Sequence, residues 1–179
     1  VSGSGKDGVE ELLQQSSAYI DQRSIDKKVY PKQIAFNSIP FVDCFLENNY
    51  TREEMKMVWE THKILDENIS VNPTAVRVPV LVGHAESIYI ETEKEIDIEL
   101  AKNCLNEFAG ISVIDDVQEV DFPTSFEHGH GTDDVYVGRI RKGLSKNNSL
   151  NLWVVADNVR KGAALNSIQI AENLVGSEM

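Results

Sequence analysis

The stretch from Arg77 to Glu93, RVPVLVGHAESIYIETE, decides how this chain folds. Its first half alternates: Arg77, Pro79 and Leu81 fall on one side and Val78, Val80 and Val82 on the other, the two-residue period of a half-buried strand. Gly83 then breaks the run and sends His84 out at its end. SIYIETE, over 87–93, reads as a second strand. So short a connection predicts that the strand over 69–83 pairs antiparallel with it. A strand end followed by a glycine turn is also a good place to hold an imidazole over a pocket.

Upstream, TREEMKMVWETHKIL (51–65) opens with Thr51 and has Glu54 three residues later, the signature of a capping box, so a helix is expected there. IAFNSIP (34–40) reads as a strand ended by proline, and the polar stretch 21–33 as a loop. The glycine-rich SGSGKDG leads into VEELLQQSSAYI, whose Val9, Leu12, Leu13 and Ile20 have a loose helical spacing. Downstream, DIELAKNCLNEF reads as a helix and ISVIDD as a strand. VYVGRIRK and LNLWVVAD follow as two strands, and NVRKGAALNSIQIAENLV (158–175) as a closing helix. Strands and helices do not alternate strictly, and several strand pairs are joined too briefly for parallel crossovers. The pattern predicts an α+β fold, a mostly antiparallel or mixed sheet with helices covering one face.

A length of 179 residues and a hydrophobic content of 41% suit one sizeable domain, spanning residues 1–179. The net charge of −12 and a pI near 4.7 argue against a nucleic-acid surface, which needs clustered Lys and Arg. There is no apolar run long enough for a membrane span and no basic-then-apolar leader, so a cytoplasmic location is expected. Cys44 and Cys104 are too few and too far apart for a disulfide framework or a zinc site, and both are expected to be buried thiols.

The polar candidates each have two readings. His84 can exchange protons near neutrality as a general acid/base, or be a structural strand-end histidine. Arg77 can hold a carboxylate bidentately, or pair with a surface acid. Glu53 and Lys56, three apart on one helix face, can form an ordinary intrahelical pair or bind an ammonium and a phosphate. His128 and His130 lack a third metal ligand, so no metal site is expected and the turn-rich stretch 122–134 reads as a polar loop. GSGKDG lacks the Walker spacing, and no dinucleotide fingerprint is present.

Four long segments together identify a family. YPKQIAFNSIPFVDCFLENNYTREEMKMVWETHKIL, VNPTAVRVPVLVGHAESIYIETEK, VYVGRIRK and LNLWVVADNVRKGAALNSIQIAENL closely resemble, in order, the C-terminal half of aspartate-β-semialdehyde dehydrogenases. That family reduces aspartyl-4-phosphate to aspartate semialdehyde with NADPH, releasing phosphate, on the route to lysine, methionine, threonine and diaminopimelate. The resemblance implies a substrate-binding and dimerisation domain like the C-terminal domain of glyceraldehyde-phosphate-dehydrogenase-like enzymes, and a homodimer. It implies that His84, in R-x-P-V-x-x-G-H, is the acid/base histidine. Arg77 would bind the substrate carboxylate, Glu53 the amino group, and Lys56 the phosphate. Ser2, Gly3 and Asn158 would line the NADP site.

The family's cysteine nucleophile and Rossmann domain belong to the N-terminal half, which this sequence does not include. The isolated chain is therefore expected to be inactive, and NADP is not expected to bind it well. Cys44 stands where the family has an aliphatic residue, and HGHG departs from the usual approach to the VGRIR strand. Two other readings are a non-catalytic interaction module of the same fold and an enzyme reducing another acyl phosphate, such as N-acetylglutamyl phosphate. Retention of four separated polar groups argues against the first, and REEMK with RVPVLVGH against the second.

Overall fold

The computed structural model describes residues 1–176, which divide into two compact units: Val1 with Gly3–Pro79, and Ser2 with the residues from Val80 onward.

The first unit is built on two helices. A 3-10 turn over Ser2–Ser4 feeds α1 (Gly5–Ile20), and α2 spans Arg52–Ile64. The buried stripe of α1 is Gly8, Glu11, Leu12, Gln15 and Ala18, at helical spacing but largely polar. Leu13 and Ile20, members of its apolar pattern, are exposed. The polar stripe faces the irregular segment 21–40, whose backbone needs partners. Glu11 takes the N–H groups of Lys28 (2.8 Å), Val29 (2.5 Å) and Tyr30 (3.3 Å). Gln15 donates to the Asp26 carbonyl (2.9 Å) and accepts from the N–H groups of Ile34 (2.8 Å) and Ala35 (3.2 Å). Ile34 and Ala35 are thereby fully buried without a sheet around them.

Helix α2 starts where the capping box places it. The Thr51 side chain accepts from the Glu54 N–H, and the Glu54 carboxylate accepts from the Thr51 N–H at 2.7 Å. The strands expected over 34–40 and 69–83 do not form. Each contributes one residue to a lone bridge, Ile39 with Arg77, closed by reciprocal backbone bonds of 2.9 and 2.8 Å. Pro40, Pro73 and Pro79 remove ladder donors on both sides of this bridge, which prevents its extension.

The second unit holds a four-stranded mixed sheet in the order β1-β4-β3-β2. Its strands are β1 (His84–Glu91), β2 (Ile111–Val113), β3 (Val135–Lys142) and β4 (Ser149–Ala156), with helix α3 over Ile98–Glu107. β1 pairs antiparallel with β4, not with 69–83, and His84 lies opposite Ala156. β2 is parallel to β3, and β3 forms a hairpin with β4 whose register shifts between Gly138 and Arg141. Val137, Ile140, Leu150 and Leu152 make the core, with Ile88, Ile90, Ile98, Leu105 and Val154 packed against it. Ile98 and Leu105, seven apart, turn one stripe of α3 to the sheet, and the Lys102–Asp115 ion pair (2.9 Å) ties α3 to the residues after β2. Cys104 falls off that stripe and is exposed, while Cys44 is half-buried, so neither is the buried thiol expected.

The stretch 122–134 is also more ordered than a polar loop. Ser125–Gly129 forms a π-helical turn, anchored by the Trp153 indole donating to the Pro123 carbonyl at 3.0 Å. The closing helix starts with a π turn over Arg160–Ala164 and continues as α4 (Leu165–Gly176).

Candidate active site

In the second unit, four chain segments meet where β1 begins and β4 ends. Gly83 has a φ of +96°, a conformation that disfavours any side chain, and a Cβ there would come within 3.2 Å of the Ser125 Cβ and 3.3 Å of the Ala156 carbonyl oxygen. The glycine therefore lets the chain turn tightly into His84, which opens β1 and does not end a strand. The Gly83 N–H donates to Asn158 Oδ1 at 3.1 Å, and the Ser2 hydroxyl donates to the same oxygen at 2.6 Å. Because a backbone N–H can only donate, the atom facing it must be Oδ1, which leaves Nδ2 as the remaining donor of Asn158. Ser125 closes the far side, its hydroxyl donating to the His84 carbonyl at 3.3 Å.

The neighbouring Asp157 sets this corner. It is buried, and it accepts from the N–H groups of Gly131 (2.8 Å), Val159 (2.8 Å) and Arg160 (3.0 Å). Burial pushes its pKa up, but the three backbone donors outweigh that and hold it below the usual aspartate value. Asp157 thus fixes the backbone on which Asn158 is carried. The His84 side chain is exposed, and no hydrogen bond from the described residues engages its imidazole.

The first unit carries the other candidates. Arg77 is half-buried, its backbone pinned by Ile39 and its guanidinium carbon 5.3 Å from the centre of the Tyr30 ring. No carboxylate among the described residues forms an ion pair with it. On α2, Lys56 and Glu53 pair at 3.2 Å, both partly exposed. Glu54, the other carboxylate of REEMK, is committed to the backbone: beyond the cap it accepts from the Ala75 N–H at 2.9 Å. Glu53, by contrast, makes its side-chain contact with Lys56 on the partly exposed face of α2. The Glu54–Ala75 bond also ties α2 to the segment that reaches Arg77 two residues later. Gly3, in the turn before α1, is exposed.

Ser2, Asn158 and His84 are thus gathered in the second unit, and Arg77, Glu53 and Lys56 are supported in the first. Sequence reasoning missed Asp157, Ser125 and Tyr30, whose roles depend on partners 26 to 47 residues away. The Nδ1 of His128 accepts the Thr124 N–H at 3.1 Å, which ties the ring to the start of its own π-helical turn.

Residues 1–161 match the family model described as semialdehyde dehydrogenase, dimerisation domain. The chain belongs to that family. Within it, the aspartate-semialdehyde dehydrogenase of Shewanella violacea is 55% identical over 98% of this chain and 52% of its own length. A solved aspartate semialdehyde dehydrogenase II from Vibrio cholerae, complexed with ASA, superposes with a TM-score of 0.94 at 49% identity, covering 99% of this chain and 52% of that one. The aspartate semialdehyde dehydrogenase of Candida albicans with NADP is more distant, with a TM-score of 0.63 and 26% identity over 78% of this chain and 44% of its own. The chain thus spans about half the length of the relatives it matches, and corresponds to their C-terminal, dimerisation part. Among the described residues, no helix of this semialdehyde dehydrogenase family member is long and apolar enough to cross a membrane.

Proposed function

We propose that this chain is the substrate-binding and dimerisation part of an enzyme that interconverts aspartyl-4-phosphate and aspartate semialdehyde, with NADP(H) as cofactor and phosphate as the other product. The observation that carries this reading is the 55% identity to an aspartate-semialdehyde dehydrogenase, sustained over 98% of the chain. Arg77 suits the α-carboxylate, because a planar guanidinium grips a carboxylate bidentately and no carboxylate among the described residues pairs with it. Glu53 takes the substrate ammonium and Lys56 the phosphate oxygens, each exchanging the ion pair they share for a ligand.

His84 acts as the acid/base. It takes the proton from the attacking thiol, which the other half of the enzyme supplies, and returns a proton as the acyl group is reduced. Asn158, oriented through Oδ1 by Gly83 and Ser2, offers Nδ2 to the nicotinamide carboxamide, and Ser2 and Gly3 border the cofactor. NADPH, when bound, supplies the hydride. The tight turn at Gly83 fixes the backbone that carries His84, so the imidazole is presented from a set point at the start of β1. A homodimer through this domain fits the family to which it belongs.

The test is turnover of the full-length protein with aspartate semialdehyde, phosphate and NADP, comparing wild type with His84→Asn. Loss of roughly 10²–10⁴ in kcat is expected for removal of a general acid/base. A wild-type protein that turns over N-acetylglutamate semialdehyde and ignores aspartate semialdehyde would refute the substrate assignment.

A further inference from the structure

We propose that Tyr30 is a positioning residue: its ring is the shelf that holds the Arg77 guanidinium, and Gly8 is the gap in α1 that lets the ring lie there. The inference rests on the reading of Arg77 as the carboxylate-binding residue and adds what aims it. Tyr30 belongs to an irregular segment, yet it is only 6% exposed, and its buried hydroxyl has no hydrogen-bond partner among the described residues. A buried hydroxyl left unpaired is unfavourable, so the hydroxyl's own bonding does not keep the ring in place.

The surroundings say what does. A Cβ on Gly8 would run into the Tyr30 hydroxyl, come within 3.3 Å of the ring carbon that bears it and lie 2.7 Å from the Ser4 Cβ, so glycine at this position makes room for the ring and for the turn that starts α1. The Tyr30 N–H is held by Glu11 at 3.3 Å. At the other end, the Arg77 backbone is fixed to Ile39 by two hydrogen bonds of 2.8 and 2.9 Å. With both backbones anchored, the guanidinium lies 5.3 Å from the ring centre, within the range of a cation–π contact.

An aromatic face holds a guanidinium without neutralising it. A carboxylate in the same place would have to be displaced by every incoming substrate carboxylate, whereas the ring leaves the in-plane N–H donors free for the ligand. Tyr30 therefore orients Arg77 while keeping its charge available.

The test is steady-state kinetics of the full-length enzyme with position 30 varied at constant shape. Tyr30→Phe is expected to stay close to wild type, since the hydroxyl is unbonded. Phenylalanines carrying one, two and three fluorines at position 30 weaken the π face stepwise, and KM for aspartate semialdehyde should climb with each. The rise should reach about tenfold over the series, with kcat and KM for NADP little changed. Tyr30→Leu should exceed that rise. A flat fluorination series overturns the role of Tyr30. If Arg77→Ala also leaves KM for aspartate semialdehyde unchanged, the reading of Arg77 itself has failed; if Arg77→Ala raises KM while the series stays flat, only the shelf is refuted.

Discussion

Asn158 Oδ1 accepts the Gly83 N–H at 3.1 Å across 75 residues of chain, and so fixes the residue before His84 from the far end of β4. The turn that presents the imidazole is held by a side chain on another strand's exit, not by its own loop.

Replacing that acceptor should loosen the turn. Asn158→Leu leaves the Gly83 N–H and the Ser2 hydroxyl without their shared oxygen, and is expected to cost about 1–3 kcal/mol. For a chain of this size each kcal/mol lowers Tm by about 2–4 °C. Asn158→Asp keeps the acceptor and should lie closer to wild type in a thermal melt. Equal melting temperatures for Asn158→Leu and wild type would show that the bond contributes nothing to the turn.

Gly83→Ala asks an alanine to take a φ of +96° while its Cβ presses within 3.2 Å of Ser125. The strain is expected to cost about 1–3 kcal/mol. Urea unfolding should show a lower midpoint with an unchanged slope, because the same surface is exposed on unfolding. Pairing it with Ser125→Gly should recover part of the loss; no recovery would assign the cost to φ and the Ala156 carbonyl and not to the Ser125 side chain.

The pH dependence of the first unit should carry the mark of Glu54. Backbone donation by Thr51 and then Ala75 holds its carboxyl below the ordinary value of 4.5. A depressed folded-state pKa means the native state resists protonation, so the carboxylate contributes stability above its unfolded value and loses it as pH falls through the folded one. The stability gap between wild type and Glu54→Gln should therefore be constant above pH 4.5 and shrink below it. A gap that widens on acidification would contradict this sign.

Glu11 holds the segment after α1 by three backbone bonds. Glu11→Ala strands those donors and should destabilise the chain by about 3 kcal/mol. Hydrogen exchange gives the sharper reading: the amides of Lys28, Val29 and Tyr30 should exchange faster, while those of β4 keep their protection except through global unfolding. Unchanged exchange at 28–30 would mean other groups hold the loop.

Much of the architecture was legible locally. The capping box at Thr51 and Glu54 announces α2, the apolar segments VYVGRIRK and LNLWVVAD read as the strands β3 and β4, and DIELAKNCLNEF reads as the helix α3. These features come from interactions within a few residues, so the pattern of one segment is enough to specify them. Of the candidate site, the residue types at 53, 56, 77 and 84 could be picked out by their resemblance to a family motif, but their surroundings could not. The run 69–83 alternates like a strand and makes only the Arg77 bridge, since a ladder needs a neighbour with free donors, and Pro73, Pro79 and the facing Pro40 withhold them. Likewise the apolar spacing of Val9, Leu12, Leu13 and Ile20 says nothing of Glu11 and Gln15, which are buried because they satisfy the loop folded against them. Periodicity encodes which face of an element is apolar. Which distant backbone group meets which polar side chain, as Asn158 meets Gly83, is decided only when the chain closes on itself, because buried donors must then find an acceptor wherever the fold brings one.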